Sequence, residues 1–343
     1  MRAAILKAPN DMVLVEAPDP APEPGDLVLC VKAATICGTD IRILRGRKTA
    51  GVRYPSVIGH EFAGIVAEGT PDYPTGTRVS VCPSIPCGRC PQFLRGRENL
   101  CPDQTAMGYH IDGAFAEMVR IPARAVTTGH VHVLPDAMGF DEAALAEPLA
   151  CVLNGQDRVD LTQGDMVAVL GAGPIGLLHV QLARLRGAYR VIISEPNAQR
   201  REAALALGAD AVIDPTTEDL SARMRQETGG LGADVVICAI GIPALAQQAI
   251  GLAGLGGRVS FFAGFTKGEQ ASLDVNAIHY DELRVTGAFG LTRQDYSRAL
   301  RILADRRIDA RPMITHRYDL SEVGAAFVQA EQGGAIKVAI LDA

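Results

Sequence analysis

Three short stretches carry residue types able to build an open metal site: Cys37-Gly38-Thr39-Asp40, Gly59-His60-Glu61-Phe62-Ala63-Gly64 and Ala146-Glu147-Pro148-Leu149-Ala150. Thiolate, imidazole and carboxylate are donors that zinc prefers, and a catalytic zinc commonly keeps three protein ligands plus a position for water or substrate. Cys37 and His60 are the expected anchors. Taken singly, a cysteine is among the most buried residue types and a histidine often just packs in a core. What lifts the pair above that reading is a second constellation further along the chain.

Val167 to Leu170 is an apolar, strand-like run leading into Gly171-Ala172-Gly173-Pro174-Ile175-Gly176, a Gly-x-Gly-x-x-Gly turn. Gly171 allows the tight turn, Gly173 lets the backbone approach a pyrophosphate, and Gly176 lets the next helix pack closely, with Pro174 and Ile175 opening that helix. Amides at the helix start then hold phosphates. Leu177 to Ala183 follows at helical spacing, and a second strand, Val191 to Ser194, ends at Glu195. An acid about 20 residues beyond the glycines is where adenosine ribose hydroxyls bind, and its charge repels a 2′-phosphate, favouring NAD over NADP.

These elements need a scaffold. The 343 residues exceed what one hydrophobic core usually serves, so two domains are expected. Hydrophobic and charged fractions of 48% and 21% describe an ordinary globular protein rather than a disordered one. A net charge of −6 argues against nucleic acid as a partner, because duplex binding needs a basic face. No apolar run reaches the roughly 18 residues of a membrane span, and no signal segment opens the chain, so a cytoplasmic protein without a membrane partner is expected. Thiols stay reduced there, which makes the eight cysteines metal ligands or buried side chains rather than disulfides.

Residues 1–155 alternate short strand-like runs with Pro and Gly punctuation: Leu27 to Val31, Gly64 to Ala67, Arg78 to Val81 and Ala116 to Ile121. That rhythm predicts a β-barrel-like module. Over residues 156–287, apolar strands at Met166 to Leu170, Val191 to Ile193, Ala211 to Ile213, Val235 to Ile237, Arg258 to Phe262 and Leu283 to Thr286 alternate with helical patterns. The expectation is a doubly wound parallel sheet, making the fold class α/β with a separate barrel. Residues 288–343 add a helix-like segment, Tyr296 to Ala304, and a closing strand, Val338 to Leu341.

With Ala3-Ala4-Ile5-Leu6, Pro24-Gly25-Asp26, Leu161-Thr162-Gln163-Gly164-Asp165, Leu207-Gly208-Ala209-Asp210 and Gly334-Ala335-Ile336-Lys337, these motifs span essentially the whole chain. It closely resembles the zinc-dependent medium-chain alcohol dehydrogenases and, within them, the sorbitol or polyol (L-iditol 2-dehydrogenase-like) branch. The resemblance implies a GroES-like catalytic barrel, completed by residues 288–343, a Rossmann NAD-binding domain, and a homotetramer or homodimer. It also implies hydride transfer from a secondary alcohol (a polyol, sugar alcohol or sugar acid) to NAD, giving a ketone. By resemblance Cys37, His60 and Glu61 ligate the catalytic zinc, and Glu147 does so directly or through water. Thr39 passes on the substrate proton, and Asp40 orients His60. Arg200 is similar to the family's adenosine-side arginine, and Ala239, Ile240, Phe262, Ala263, Gly264 and Phe289 lie near the nicotinamide.

A second cysteine group, Cys87-Gly88-Arg89-Cys90-Pro91-Gln92-Phe93 closing at Cys101, lies in a lobe over residues 82–101. Relatives with a structural zinc carry four cysteines, and Phe93 stands where the third belongs. A closed zinc site wants four ligands, so Cys82 would have to swing in, or water or a carboxylate fill the gap. Departures near the substrate also matter. Arg42 replaces a relay histidine, Ile43 a substrate-facing tyrosine, and Gly290-Leu291 an Arg-Tyr pair, so sorbitol is expected to be a poor substrate. A smaller, less hydroxylated or differently shaped substrate is expected, with a threonine-like amino alcohol as an alternative; Arg42 either favours a carboxylate-bearing sugar acid or has only a surface role. Two further readings are a zinc-free reductase of activated double bonds, which would not need Cys37, His60 and Glu147 together, and a non-catalytic dinucleotide-binding protein.

Overall fold

A computed structural model describes residues 1–342, which fall into two compact units: Met1–Ala150 together with Gly290 onward, and Cys151–Phe289. The first unit is built around the strand Leu27–Thr35, whose side chains are buried on both faces. Such a run needs neighbours on each edge. It pairs antiparallel with Glu61–Glu68, with Met118–Ile121 and with Lys337–Leu341, so the end of the chain returns to the sheet formed by its beginning. The pairing order runs Val131–Val133, Arg78–Val81, Glu61–Glu68, Leu27–Thr35, Lys337–Leu341, Ile314–Asp319. Leu29, Ile58, Phe62, Phe115 and Ile340 fill the interior, and Phe115 meets Phe327 edge to face at 5.4 Å.

Helix Arg293–Ala304 starts earlier than the apolar pattern alone suggests. Thr292 caps it by accepting from the Asp295 amide at 3.2 Å, and the Asp295 carboxylate accepts from the Thr292 amide at 3.0 Å. This reciprocal pair satisfies amides that the first helical turn cannot satisfy itself.

The second unit is a six-stranded sheet with every strand parallel, ordered Ala211–Ile213, Arg190–Ser194, Met166–Leu170, Ala233–Cys238, Ala253–Phe261, Arg284–Gly287. In chain order this is 3-2-1-4-5-6, the doubly wound arrangement that binds dinucleotides where the winding reverses. The reversal lies between Met166–Leu170 and Ala233–Cys238, at whose carboxyl ends Gly171 and Ala239 begin. The fifth strand extends back to Ala253, beyond the apolar run starting at Arg258, because Gly254, Gly256 and Gly257 contribute backbone without apolar side chains. Leu170, Ile192, Ile213, Val236 and Ile250 pack the core.

Candidate active site

Sheet register brings the metal-ligating residue types together. Thr35 pairs with Glu61 across antiparallel strands, so Cys37, just past one strand, and His60, just before the other, come side by side. One donor atom each from Cys37, His60 and Glu61 lies within 4.8 Å of the other two. Cys37 also caps the helix Gly38–Leu44, with its amide donating to Asp40 Oδ2 at 2.9 Å. The other Asp40 oxygen lies 3.1 Å from His60 Nδ1. With Nδ1 protonated toward this fully buried carboxylate, Nε2 keeps the lone pair that a metal requires. Burial opposes the imidazolium, yet Tyr109, Asp40 and Cys37 outweigh it and raise the His60 pKa well above its usual value. A metal entering here must therefore displace a proton.

Glu61, 1% exposed, is held from one side only. Its Oε2 accepts from the Thr35 hydroxyl and from Lys337 Nζ, the latter at 2.5 Å, while Oε1 is buried without a partner. A buried carboxylate oxygen left open beside a thiol and an imidazole is what a divalent cation would satisfy. This donor set fits zinc. Lys337 is itself only 3% exposed. Burial alone would depress its pKa, but Glu61 and Cys37 lift it above the ordinary lysine value, so the pair is ionic. The closing motif was visible in the sequence, but no local signal tied Lys337 to Glu61.

Two expected ligands stand elsewhere. Glu147, in the first turn of helix Ala146–Arg158, is buried but outside the tight cluster, although its charge still acts on Lys337, Tyr109 and Cys82. The tight group of donor atoms is therefore Cys37, His60 and Glu61, without Glu147. The expectation for Cys82 is corrected. It does not join Cys87, Cys90 and Cys101, whose sulfurs form their own group. Its amide is fixed to the His130 carbonyl at 2.8 Å, and burial pushes its thiol pKa well up, which disfavours the thiolate a metal needs.

Around the cluster, Tyr109 lies 5.2 Å from the His60 ring, and Lys48 Nζ sits over the Tyr109 ring at 5.2 Å. Arg42 donates to Thr39 Oγ1 at 3.1 Å. Two cations thus flank the centre, of which the sequence suggested only Arg42.

In the second unit, Gly171 takes a left-handed φ of +100°, and a side chain at Gly176 would collide with the Gly171 carbonyl. A Cβ at Gly173 would meet nothing within 4 Å, leaving open space where the helix Pro174–Leu185 presents uncapped amides. Glu195 accepts from the Ala172 amide at 2.7 Å and the Asn197 amide at 2.9 Å, which fixes its carboxylate beside the glycine turn. Arg200 opens the following helix, its amide bonded to Asn197 Oδ1 at 3.0 Å. Ile240 lies against Gly171, and the Ala239 and Ala263 amides bond Leu170 and Cys238 carbonyls, so these residues share the carboxyl edge of the sheet with Gly264. The Phe262 ring instead packs on His179 at 4.7 Å, and the Phe289 ring is exposed.

The family model for the zinc-binding dehydrogenase domain matches residues 174–305, and that for the alcohol dehydrogenase GroES-like domain matches residues 23–135. The chain is 35% identical over 317 residues to the 2-dehydro-3-deoxy-L-galactonate 5-dehydrogenase of Pseudoalteromonas atlantica, covering 92% of this chain and 90% of the relative. It is 36% identical over 314 residues to the L-threonine 3-dehydrogenase of Pyrococcus abyssi, covering 89% and 87%. A crystal structure from Sinorhizobium meliloti 1021, assigned as a zinc-binding dehydrogenase and bound to NADP, superposes with a TM-score of 0.93 at 36% identity, covering 99% and 98%. With this donor set and this parallel sheet, the chain belongs to the zinc-dependent medium-chain alcohol dehydrogenase family and is a nicotinamide-linked oxidoreductase.

Proposed function

We propose that the enzyme oxidises the secondary alcohol of a carboxylate-bearing sugar acid to a ketone, with NAD as hydride acceptor. The observation carrying the chemistry is the convergence of Cys37, His60 and Glu61, with Glu61 Oε1 unpartnered. Zinc held by these three would act as a Lewis acid that makes the substrate hydroxyl easier to deprotonate. Thr39 receives that proton: Arg42 donates to its Oγ1, so its own O–H remains free to donate onward. Asp40 fixes the His60 tautomer, Lys337 and Thr35 hold Glu61, and Glu147 acts on the site through its charge or through water.

Arg42 and Lys48 support the acidic substrate class. Two cations attract a carboxylate but repel the ammonium of threonine, which favours a sugar acid over an amino alcohol. The resemblance to the galactonate-type dehydrogenases of Pseudoalteromonas atlantica and of Escherichia coli, the latter 31% identical, points the same way. Comparing kcat/KM for aldonic acids, sorbitol, xylitol, small diols and threonine is the test; an aldonic acid should rank first, and sorbitol or threonine ranking first would overturn the reading. Lys48→Met should raise KM for the acid about fivefold, the modest size expected of screened charge pairs, while leaving a neutral alcohol unaffected; Arg42→Ala should raise it similarly and, because Arg42 donates to Thr39 Oγ1, also lower kcat for both.

NAD is assigned from Glu195, whose carboxylate is positioned to accept ribose hydroxyls and to repel a 2′-phosphate. Glu195→Ala should lower the NAD to NADP ratio of kcat/KM by about tenfold, equivalent to roughly 1.4 kcal/mol. An unchanged ratio would place the acid away from the ribose. We assign the enzyme to the cytoplasm as a homodimer or homotetramer. Its eight free thiols support a reducing compartment, and no described helix is long and apolar enough to cross a membrane.

A further inference from the structure

Away from the catalytic cluster, the first unit holds a cavity of about 200 Å³ lined by Pro135, Ala137, Met138, Glu142, Ala304 and Arg306. None of these six residues belongs to the donor group of Cys37, His60 and Glu61. An apolar cavity of about 150 Å³ already admits a benzene-sized molecule, so this one has room for a small organic ligand. One wall is fixed in place. Arg78 donates to the carbonyls of Pro135, at 3.2 Å, of Asp136 and of Met138, and its guanidinium lies over the Phe140 ring at 4.5 Å. The loop leading into helix Phe140–Ala144 is thereby held from Pro135 onward.

Two groups of opposite charge line this space without pairing. Glu142 is 6% exposed, and its Oε1 is buried with no hydrogen-bond partner. Arg306, just past the end of helix Arg293–Ala304, takes a left-handed φ of +52° at a position usually left to glycine. Among the described residues no ion pair holds its guanidinium. The charges around the two are already matched. Arg311 donates twice to Asp309, at 2.8 Å each, and Arg317 twice to Asp141, at 3.1 and 2.9 Å. Burial raises the Glu142 pKa, and Arg311 and Arg306 oppose it through their charge without a hydrogen bond. A buried carboxylate left without a donor is costly, and one at a cavity wall can be satisfied by what enters the cavity.

We propose that this cavity binds a small apolar amino acid, whose ammonium pairs with Glu142, whose carboxylate meets the Arg306 guanidinium, and whose side chain rests on Pro135, Ala137, Met138 and Ala304. Both charges of the ligand are needed. A lone amine leaves Arg306 unused, and a lone carboxylate is repelled by Glu142. Helix Phe140–Ala144 packs against the strands Leu27–Thr35 and Glu61–Glu68, so an occupant bears on the scaffold that carries Thr35 and Glu61.

Calorimetric titration of the purified full-length enzyme with L-leucine, L-leucinamide and 4-methylpentanoate separates the two charges, because each analogue keeps one of them. On the wild type, leucine should bind at least about tenfold more tightly than either analogue, a factor equal to roughly 1.4 kcal/mol. Glu142→Gln should weaken leucine and leucinamide but not 4-methylpentanoate. Arg306→Gly, which suits the left-handed backbone, should weaken leucine and 4-methylpentanoate but not leucinamide. The comparison of probes on the wild type needs no variant. Absence of leucine binding, equal affinity for either analogue, or leucine binding unchanged in either folded variant would overturn the proposal.

Discussion

Cys37→Ser should lose the zinc of the catalytic cluster and lower turnover by at least about three orders of magnitude, the factor carried by roughly 4 kcal/mol of transition-state stabilisation. Its thermal stability and NAD binding should stay close to wild type. The thiol is half-exposed at a helix cap rather than packed in the core, and the glycine turn and Glu195 lie in a unit with its own core. His60→Ala should abolish turnover as well, but less cleanly. It strips the fully buried Asp40 of its imidazole partner, and leaving such a group unsatisfied costs about 1–3 kcal/mol of stability. Zinc content, NADH titration and a thermal melt on each variant distinguish loss of metal from loss of fold. Full zinc occupancy with retained activity in Cys37→Ser would overturn the assignment of the donors.

Lys337→Met should be the most destabilising single change in the metal-free enzyme. The lysine is paired with Glu61 at 2.5 Å, and both side chains are nearly inaccessible. Removing one partner of a buried ion pair leaves the other charge uncompensated, which costs about 3–5 kcal/mol. A loss of that size lowers the melting temperature by roughly 10 °C in a protein of this size class. Zinc should reduce the loss, because Glu61 then faces a second cation. Adding Glu61→Gln should recover part of the stability, since the orphaned charge is gone. Melts of the single and double variants, with and without chelator, read both effects. A melting temperature within about 2 °C of wild type for Lys337→Met would show that the pair is not ionic.

Much of this was legible along the chain. The alternation of apolar strands with helical spacing predicted the parallel sheet, and the glycine spacing marked the tight turn from its first strand into the following helix, because both follow from local backbone geometry. Cys37 and His60 were legible for a similar reason: each sits next to a recognisable strand, and antiparallel pairing leaves few ways to place the two ends. What the chain could not declare was the register of strands far apart in sequence. Only the tertiary structure set Lys337 against Glu61, placed Tyr109 beside His60 with Lys48 over its ring, and brought the donors of Cys37, His60 and Glu61 within 4.8 Å of one another. It also placed Arg293 over Phe93 and buried Cys82 away from the other three thiols. Residue type and spacing determine which chemistry is available, because donors and turns are local properties. Which donors meet is decided by long-range packing, since a shift of one residue in a strand pair sends every side chain to the opposite face.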